Sequence, residues 1–167
     1  MVAESSMDWV RRAGDYRVLL GKRDRLGFPL GELERARLDE LERFFTQDAN
    51  RRRAPWASRE QIRAPISVVV QFGDSTGHAR DISGDGIYVV TEARLPIGAR
   101  TVVRIADEAP LGDDIDAVAP FDQWEFAAEV VRLDAGGMGL RFVGIPLVLR
   151  ITHRHSEESA PLRMHAA

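Results

Sequence analysis

The sequence predicts a mainly β chain with α: a six-stranded antiparallel β-barrel preceded by an N-terminal helical pair. Three observations carry this. Apolar residues recur every three or four positions up to Gln47, and from Pro65 the period changes to the alternation of strands. Six β-rich segments then follow within about eighty residues, with no helical pattern between them, as in a small antiparallel barrel. Turns bearing glycine and proline punctuate those segments.

The first helix is expected from Asp8 to about Leu20, where Trp9, Val10, Ala13, Tyr16, Leu19 and Leu20 form one stripe. Gly27 and Pro29 interrupt the chain. A second stripe, Leu30, Leu33, Leu38, Leu41, Phe44 and Phe45, runs through Gly31 to Gln47, with Glu and Arg on the other face. Two uses of these stripes are open: packing on each other and on the barrel, or a surface for a homodimer. Asp48 to Arg63 is polar, contains Pro55 and carries five arginines, which marks a linker. The strands are expected at Ile66 to Phe72, Gly77 to Ile82, Gly86 to Glu92, Arg100 to Ala106, Gln123 to Leu133 and Met138 to Val143. Turns fall at Gly73 to Thr76, Leu95 to Gly98 and Asp134 to Gly137. Ala106 to Asp122 holds six acids and two prolines and reads as a solvated hairpin loop. Ile145 to Ile151 is expected as a short helix or docking segment, and His153 to Ala167 as a polar tail. The resulting organisation is a helical region over 1–50, an arginine-rich linker over 51–64, a barrel over 65–152 and a flexible tail over 153–167.

Composition narrows the function. A chain of 167 residues is long enough to bury a core without covalent staples, and zero cysteines exclude a disulfide framework, a thiolate nucleophile and cysteine-ligated zinc. The first eight residues hold two acids and no apolar core, so no signal peptide is expected. No apolar run approaches membrane-spanning length, and the expectation is a cytoplasmic chain with no membrane partner. Net charge is −3, unevenly divided: residues 1–63 carry 14 basic against 11 acidic side chains, residues 64–167 carry 9 against 15. An acidic barrel lacks the broad basic face of a nucleic-acid binder. Positive charge gathers just before it, at Arg51, Arg52, Arg53, Arg59 and Arg63, which suits a small anionic ligand.

Several catalytic and metal patterns fail on context. Gly73-Asp74-Ser75-Thr76-Gly77 has the look of a serine-protease nucleophile loop, but that chemistry needs a positioned histidine base and an orienting acid, and the adjacent His78 falls in an expected strand. Gly136-Gly137-Met138-Gly139 lacks the strand-to-helix setting of a phosphate cradle and reads as a hairpin turn. Asp114-x-Asp116 is a fragment of a calcium loop, and His153 and His155 alone do not make a metal site. The expectation is a protein without enzymatic activity, cofactor or metal.

Arg59 and Arg63 form an Arg-x-x-x-Arg pair, and eighteen residues after Arg63 comes Asp81-Ile82-Ser83-Gly84-Asp85-Gly86. The arginine spacing alone carries little: random placement of 22 arginines in 167 residues gives about three such pairs, and three occur, the others being Arg100/Arg104 and Arg150/Arg154. What distinguishes the first is its place before the first strand, with Asp-x-Ser-x-x-Gly at the next strand boundary. Together with a closing Gly139-Leu140-Arg141-Phe142 strand, these motifs resemble a PilZ domain over roughly Arg59 to Val143. The resemblance implies a PilZ-like barrel and a receptor for the bacterial second messenger cyclic di-GMP. It assigns Arg59 and Arg63 to phosphate and guanine contacts and Asp81 and Ser83 to a guanine edge or the nearby phosphate. Gly86 would keep a side chain away where ligand and backbone meet, and Ile82 would point into the barrel. Ser58 stands where many members have a second arginine, and the acidic loop is longer than usual.

The chemistry agrees with that assignment. Cyclic di-GMP presents two guanines and two phosphodiester anions. Arginine's planar fork matches phosphate oxygens or the O6/N7 edge of guanine, and its face stacks on a base. Guanine N1 and N2 hydrogens call for a carboxylate acceptor such as Asp81. The expected output is a changed surface read by a downstream protein. The alternative is a ligand-independent protein-interaction module.

Overall fold

The computed structural model describes residues 5–51, 63–106 and 121–151. Arg59 and most of the arginine-rich linker, the acidic loop from 107 to 120 and the tail from 152 lie outside the described residues.

Helix α1 (Ser6–Asp24) begins earlier than apolar periodicity suggests because Ser5 caps it. The Ser5 hydroxyl accepts from the Asp8 N–H at 3.2 Å and the Asp8 carboxylate accepts from the Ser5 N–H at 3.0 Å, a reciprocal capping box. It ends near Gly27, whose φ of 64° lies in the left-handed region open to glycine. Helix α2 (Glu32–Arg51) runs four residues past Gln47, the limit its apolar stripe suggested. The two helices pack through aromatic rings: Trp9 lies 4.7 Å from Phe44 and Tyr16 lies 5.4 Å from Phe45, centroid to centroid. Lys22–Glu34 at 2.6 Å and Arg37–Asp15 at 3.2 Å bridge them at the surface. Leu38, Leu41 and Phe45 are buried, so the second stripe is used within the chain. Leu33, assigned to that stripe by spacing, is instead 87% exposed.

Seven strands follow: β1 (Ala64–Phe72), β2 (Ser75–Ile82), β3 (Gly86–Val90), β4 (Arg100–Ala106), β5 (Phe121–Asp134), β6 (Gly137–Phe142) and β7 (Leu147–Ile151). All pairings are antiparallel. The hydrogen-bonded order β4-β1-β2-β3-β6-β5 closes on itself through β4–β5, which makes the six-stranded barrel. Inward residues of every barrel strand fill it, among them Val70, Phe72, Ile82, Ile87, Val89, Val103, Phe126, Val130 and Leu140. The same apolar cluster continues into Val10, Ala13, Leu38 and Phe45 of the helices. Helices and barrel therefore share one core.

The seventh strand corrects the expectation of a helix or docking segment at Ile145 to Ile151. β5 is 14 residues long. Its second half pairs with β6, leaving the same edge of its first half free for β7, with Trp124 opposite Val148 and Glu125 opposite Leu147. An edge of unpaired backbone groups was available, and a run rich in Leu, Val and Ile took it.

Candidate functional site

The nine residues of β1, a two-residue turn at Gly73 and Asp74, and the eight of β2 fold back so that Ala64 faces Ile82 and Pro65 faces Asp81. Arg63, one residue before β1, thereby arrives beside the motif. Its Nη1 donates to Asp81 Oδ1 at 2.5 Å, with the two side chains 28% and 17% exposed. Of the residues the sequence singled out, these two are joined side chain to side chain.

A β-bulge tunes what surrounds Asp81. Ala79 pairs with Val89 and Asp81 with Tyr88, which leaves Arg80 as the extra residue on β2. Ala79 and Ile82 are buried inside, Ile82 as expected, while Arg80 and Asp81 turn outward together. Arg80 Nη2 approaches Asp81 Oδ2 at 3.5 Å, and its guanidinium lies 4.1 Å above the Tyr88 ring. Arg132, opposite Gly139 and just past a second bulge at Val131 of β5, covers the same ring from 5.2 Å. Tyr88 is only 2% exposed although it faces away from the barrel core. Its hydroxyl donates to Asp134 Oδ1, which also accepts from the N–H groups of Gly136 and Gly137 at 3.0 and 3.2 Å. That hydrogen bond is the largest cause holding the Asp134 carboxyl below its ordinary pKa and the Tyr88 phenol above its own. Spacing gave no sign of this basic-aromatic shelf beside Asp81, because a bulge cannot be read from alternation.

Ser83 and Gly86 serve the turn between β2 and β3. Ser83 is buried. Its N–H donates to the Gly86 carbonyl at 2.8 Å and its hydroxyl to the same carbonyl at 3.3 Å, while the hydroxyl accepts from the Asp85 N–H at 3.3 Å. A Cβ on Gly86 would stand 2.3 Å from the Leu140 carbonyl oxygen, so the glycine makes room for the backbone of β6. That packing is by itself a physical reason for glycine here, beside the ligand approach the sequence suggested. Asp85 looks the other way, toward α1, with its Oδ1 at 4.0 Å from Arg17 Nη1.

Among the described residues, no group of three or more His, Asp or Glu side chains is placed to hold a metal ion. Gly73-Asp74 is a hairpin turn with Gly73 at φ 54°. No described helix is long and apolar enough to cross a membrane.

The model of the PilZ domain matches residues 50–155, more than half of the chain. The chain belongs to the PilZ domain family. PilZ domains form the cyclic di-GMP receptor family, and the matched span takes in the arginine-rich stretch, the Arg63–Asp81 contact, the motif turn and all seven strands. The helical pair lies almost entirely before it. A search of curated proteins returned no match.

Proposed function

We propose that this PilZ chain is a non-enzymatic, cytoplasmic receptor that binds cyclic di-GMP on the outer face of the barrel around Asp81 and changes the surface it offers to a downstream protein. The observation that carries the proposal is the Arg63–Asp81 pair at 2.5 Å. One Asp81 oxygen is anchored by a guanidinium, while among the described residues the other meets Arg80 at 3.5 Å and keeps lone pairs for the N1 and N2 hydrogens of a guanine. Among the described residues Arg63 gives one of its five donors to Asp81, and it is part-exposed, which leaves its fork for a phosphodiester oxygen. Arg59, four residues earlier, takes the second arginine role implied by the family motif. Ser83 contributes through the turn it stabilises, and Gly86 through the close approach of β3 and β6.

Recognition by a few bidentate arginine contacts of about 1–3 kcal/mol each is enough for micromolar affinity, roughly 8 kcal/mol. A ligand that binds only the folded state at a hundred times its Kd adds about 2.7 kcal/mol of stability, which in a chain of this size raises Tm by about 5–10 °C. A thermal melt with cyclic di-GMP showing this rise, absent with GTP and cyclic GMP, supports the assignment. An unchanged Tm at saturating messenger favours the ligand-independent interaction module instead.

A further inference from the structure

Helix α1 is seated on the barrel by two glycines. A Cβ at Gly14 would fall 2.0 Å from Trp124 Cζ3, and one at Gly21 would fall 2.3 Å from Ile145 Cγ1. The helix backbone thus lies directly against β5 and against the segment leaving β6. Its start is tied to β1, where the Ser67 N–H donates to Ser6 Oγ at 3.0 Å.

Arg17 sits between those glycines and is carried into the junction. Its side chain is only 12% exposed. Nη2 donates to the Gly144 carbonyl at 3.2 Å, Nη1 stands 4.0 Å from Asp85 Oδ1, and Nε is buried with no hydrogen-bond partner. A guanidinium so placed is expensive, because desolvated donors without acceptors destabilise the fold. Burial accordingly holds its pKa below the ordinary arginine value, with Asp85 acting in the opposite direction. Core packing does not require a cation here; a methionine would fill the same stem volume at lower cost.

What the cation reaches is the motif turn. The Asp85 N–H donates to Ser83 Oγ, and the Asp85 carbonyl accepts from the Phe142 N–H at 2.8 Å. Asp85 therefore joins three things: α1 through its carboxylate, Ser83 through its N–H, and β6 through its carbonyl. Asp81 lies two residues before Ser83 on the same strand end.

We propose that Arg17 is a positioning residue for the cyclic di-GMP site: by holding Asp85 and Gly144 from α1, it fixes the Ser83–Gly86 turn in the geometry that presents Asp81. The helical pair is then an affinity-setting element, and ligand in return tightens α1 on the barrel, since coupling between two sites is reciprocal. This rests on the receptor function proposed above.

The test is titration calorimetry of the full chain with cyclic di-GMP, on wild type and on Arg17→Met, Arg17→Lys, Asp85→Asn and the Met/Asn double variant. Arg17→Met and Asp85→Asn are each expected to weaken binding about tenfold, within the 5–150-fold range of typical site couplings. Arg17→Lys recovers part of the loss, and the double variant is no weaker than the worse single one, as for residues acting through one contact. Ligand slows amide exchange along α1 in wild type and not in Arg17→Met. Asp85, with a side chain 55% exposed, tolerates the isosteric asparagine even if Arg17→Met fails to fold. If wild type binds and Asp85→Asn binds with the same affinity, the positioning role is overturned while the receptor function stands. If wild type itself does not bind, both fall.

Discussion

Arg63 and Asp81, eighteen residues apart in sequence, form a 2.5 Å ion pair because the β1–β2 hairpin sets Pro65 opposite Asp81. The pair places a cation for phosphate and an acceptor for guanine side by side. Arg63→Ala is expected to weaken cyclic di-GMP binding about tenfold or more, the worth of one lost bidentate contact. Arg63→Lys keeps the charge and loses the fork, so it recovers only part of that affinity. Unchanged affinity in Arg63→Ala, measured by calorimetry, removes Arg63 from the site.

Gly86→Ala separates the packing role of this glycine from a ligand role. The added methyl would press on the Leu140 carbonyl, 2.3 Å away in a paired strand that cannot swing aside. The expected cost is about 1–3 kcal/mol of stability, read as a lower denaturation midpoint in the absence of ligand. Wild-type stability combined with lost binding would return the glycine to the ligand.

Gly14→Ala tests the seating of the helical pair. Its methyl would stand 2.0 Å from Trp124 Cζ3, on top of the indole ring, so α1 lifts from β5. Faster amide exchange in α1, a red shift in tryptophan emission as Trp124 meets water, and unchanged exchange in β2 and β3 are the expected signs. Equal exchange in α1 would mean that the junction absorbs the methyl.

The Tyr88–Asp134 hydrogen bond has a definite pH window. The carboxyl is held below its ordinary value of 3.8, so the stability it contributes is present above that pH and is lost as pH falls through the folded value. The phenol is held above its ordinary 10.0, so its contribution is present below that pH and is lost as pH rises toward the folded value. Tyr88→Phe keeps the ring under Arg80 and removes the hydroxyl. The stability difference between wild type and Tyr88→Phe should therefore be full between about pH 5 and 9 and shrink at both extremes, in denaturant unfolding across pH. A difference that stays flat below pH 3 contradicts the pairing.

Much of this was legible from residues alone. Alternation locates all six barrel strands because their inward residues are apolar, as with Val70 and Phe72 or Ile87 and Val89, and Ile82 points inward as its motif position implied. Arg63 and Asp81 are legible because a hairpin converts sequence separation into contact. Other features depend on geometry that no period records. β7 is ambiguous because a five-residue segment with four apolar residues fits strand and helix alike, and only the length of β5 decides. Leu33 fits a helical stripe by spacing, yet the partner surface ends before it. The Arg80 bulge, which places Arg80 beside Asp81 and over Tyr88, offsets the register by one residue and leaves alternation looking ordinary. Ser83 and Asp85 are in the motif, but that one closes the turn and the other faces α1 is a matter of hydrogen bonds.

The measurement closest to the central claim is titration calorimetry of the wild-type chain with cyclic di-GMP, with GTP and cyclic GMP as controls. Saturable binding with a Kd of about micromolar or below, no response to the controls, and a whole number of ligands per chain is the predicted result. Absence of saturable binding to cyclic di-GMP, or equal affinity for GTP, would contradict it.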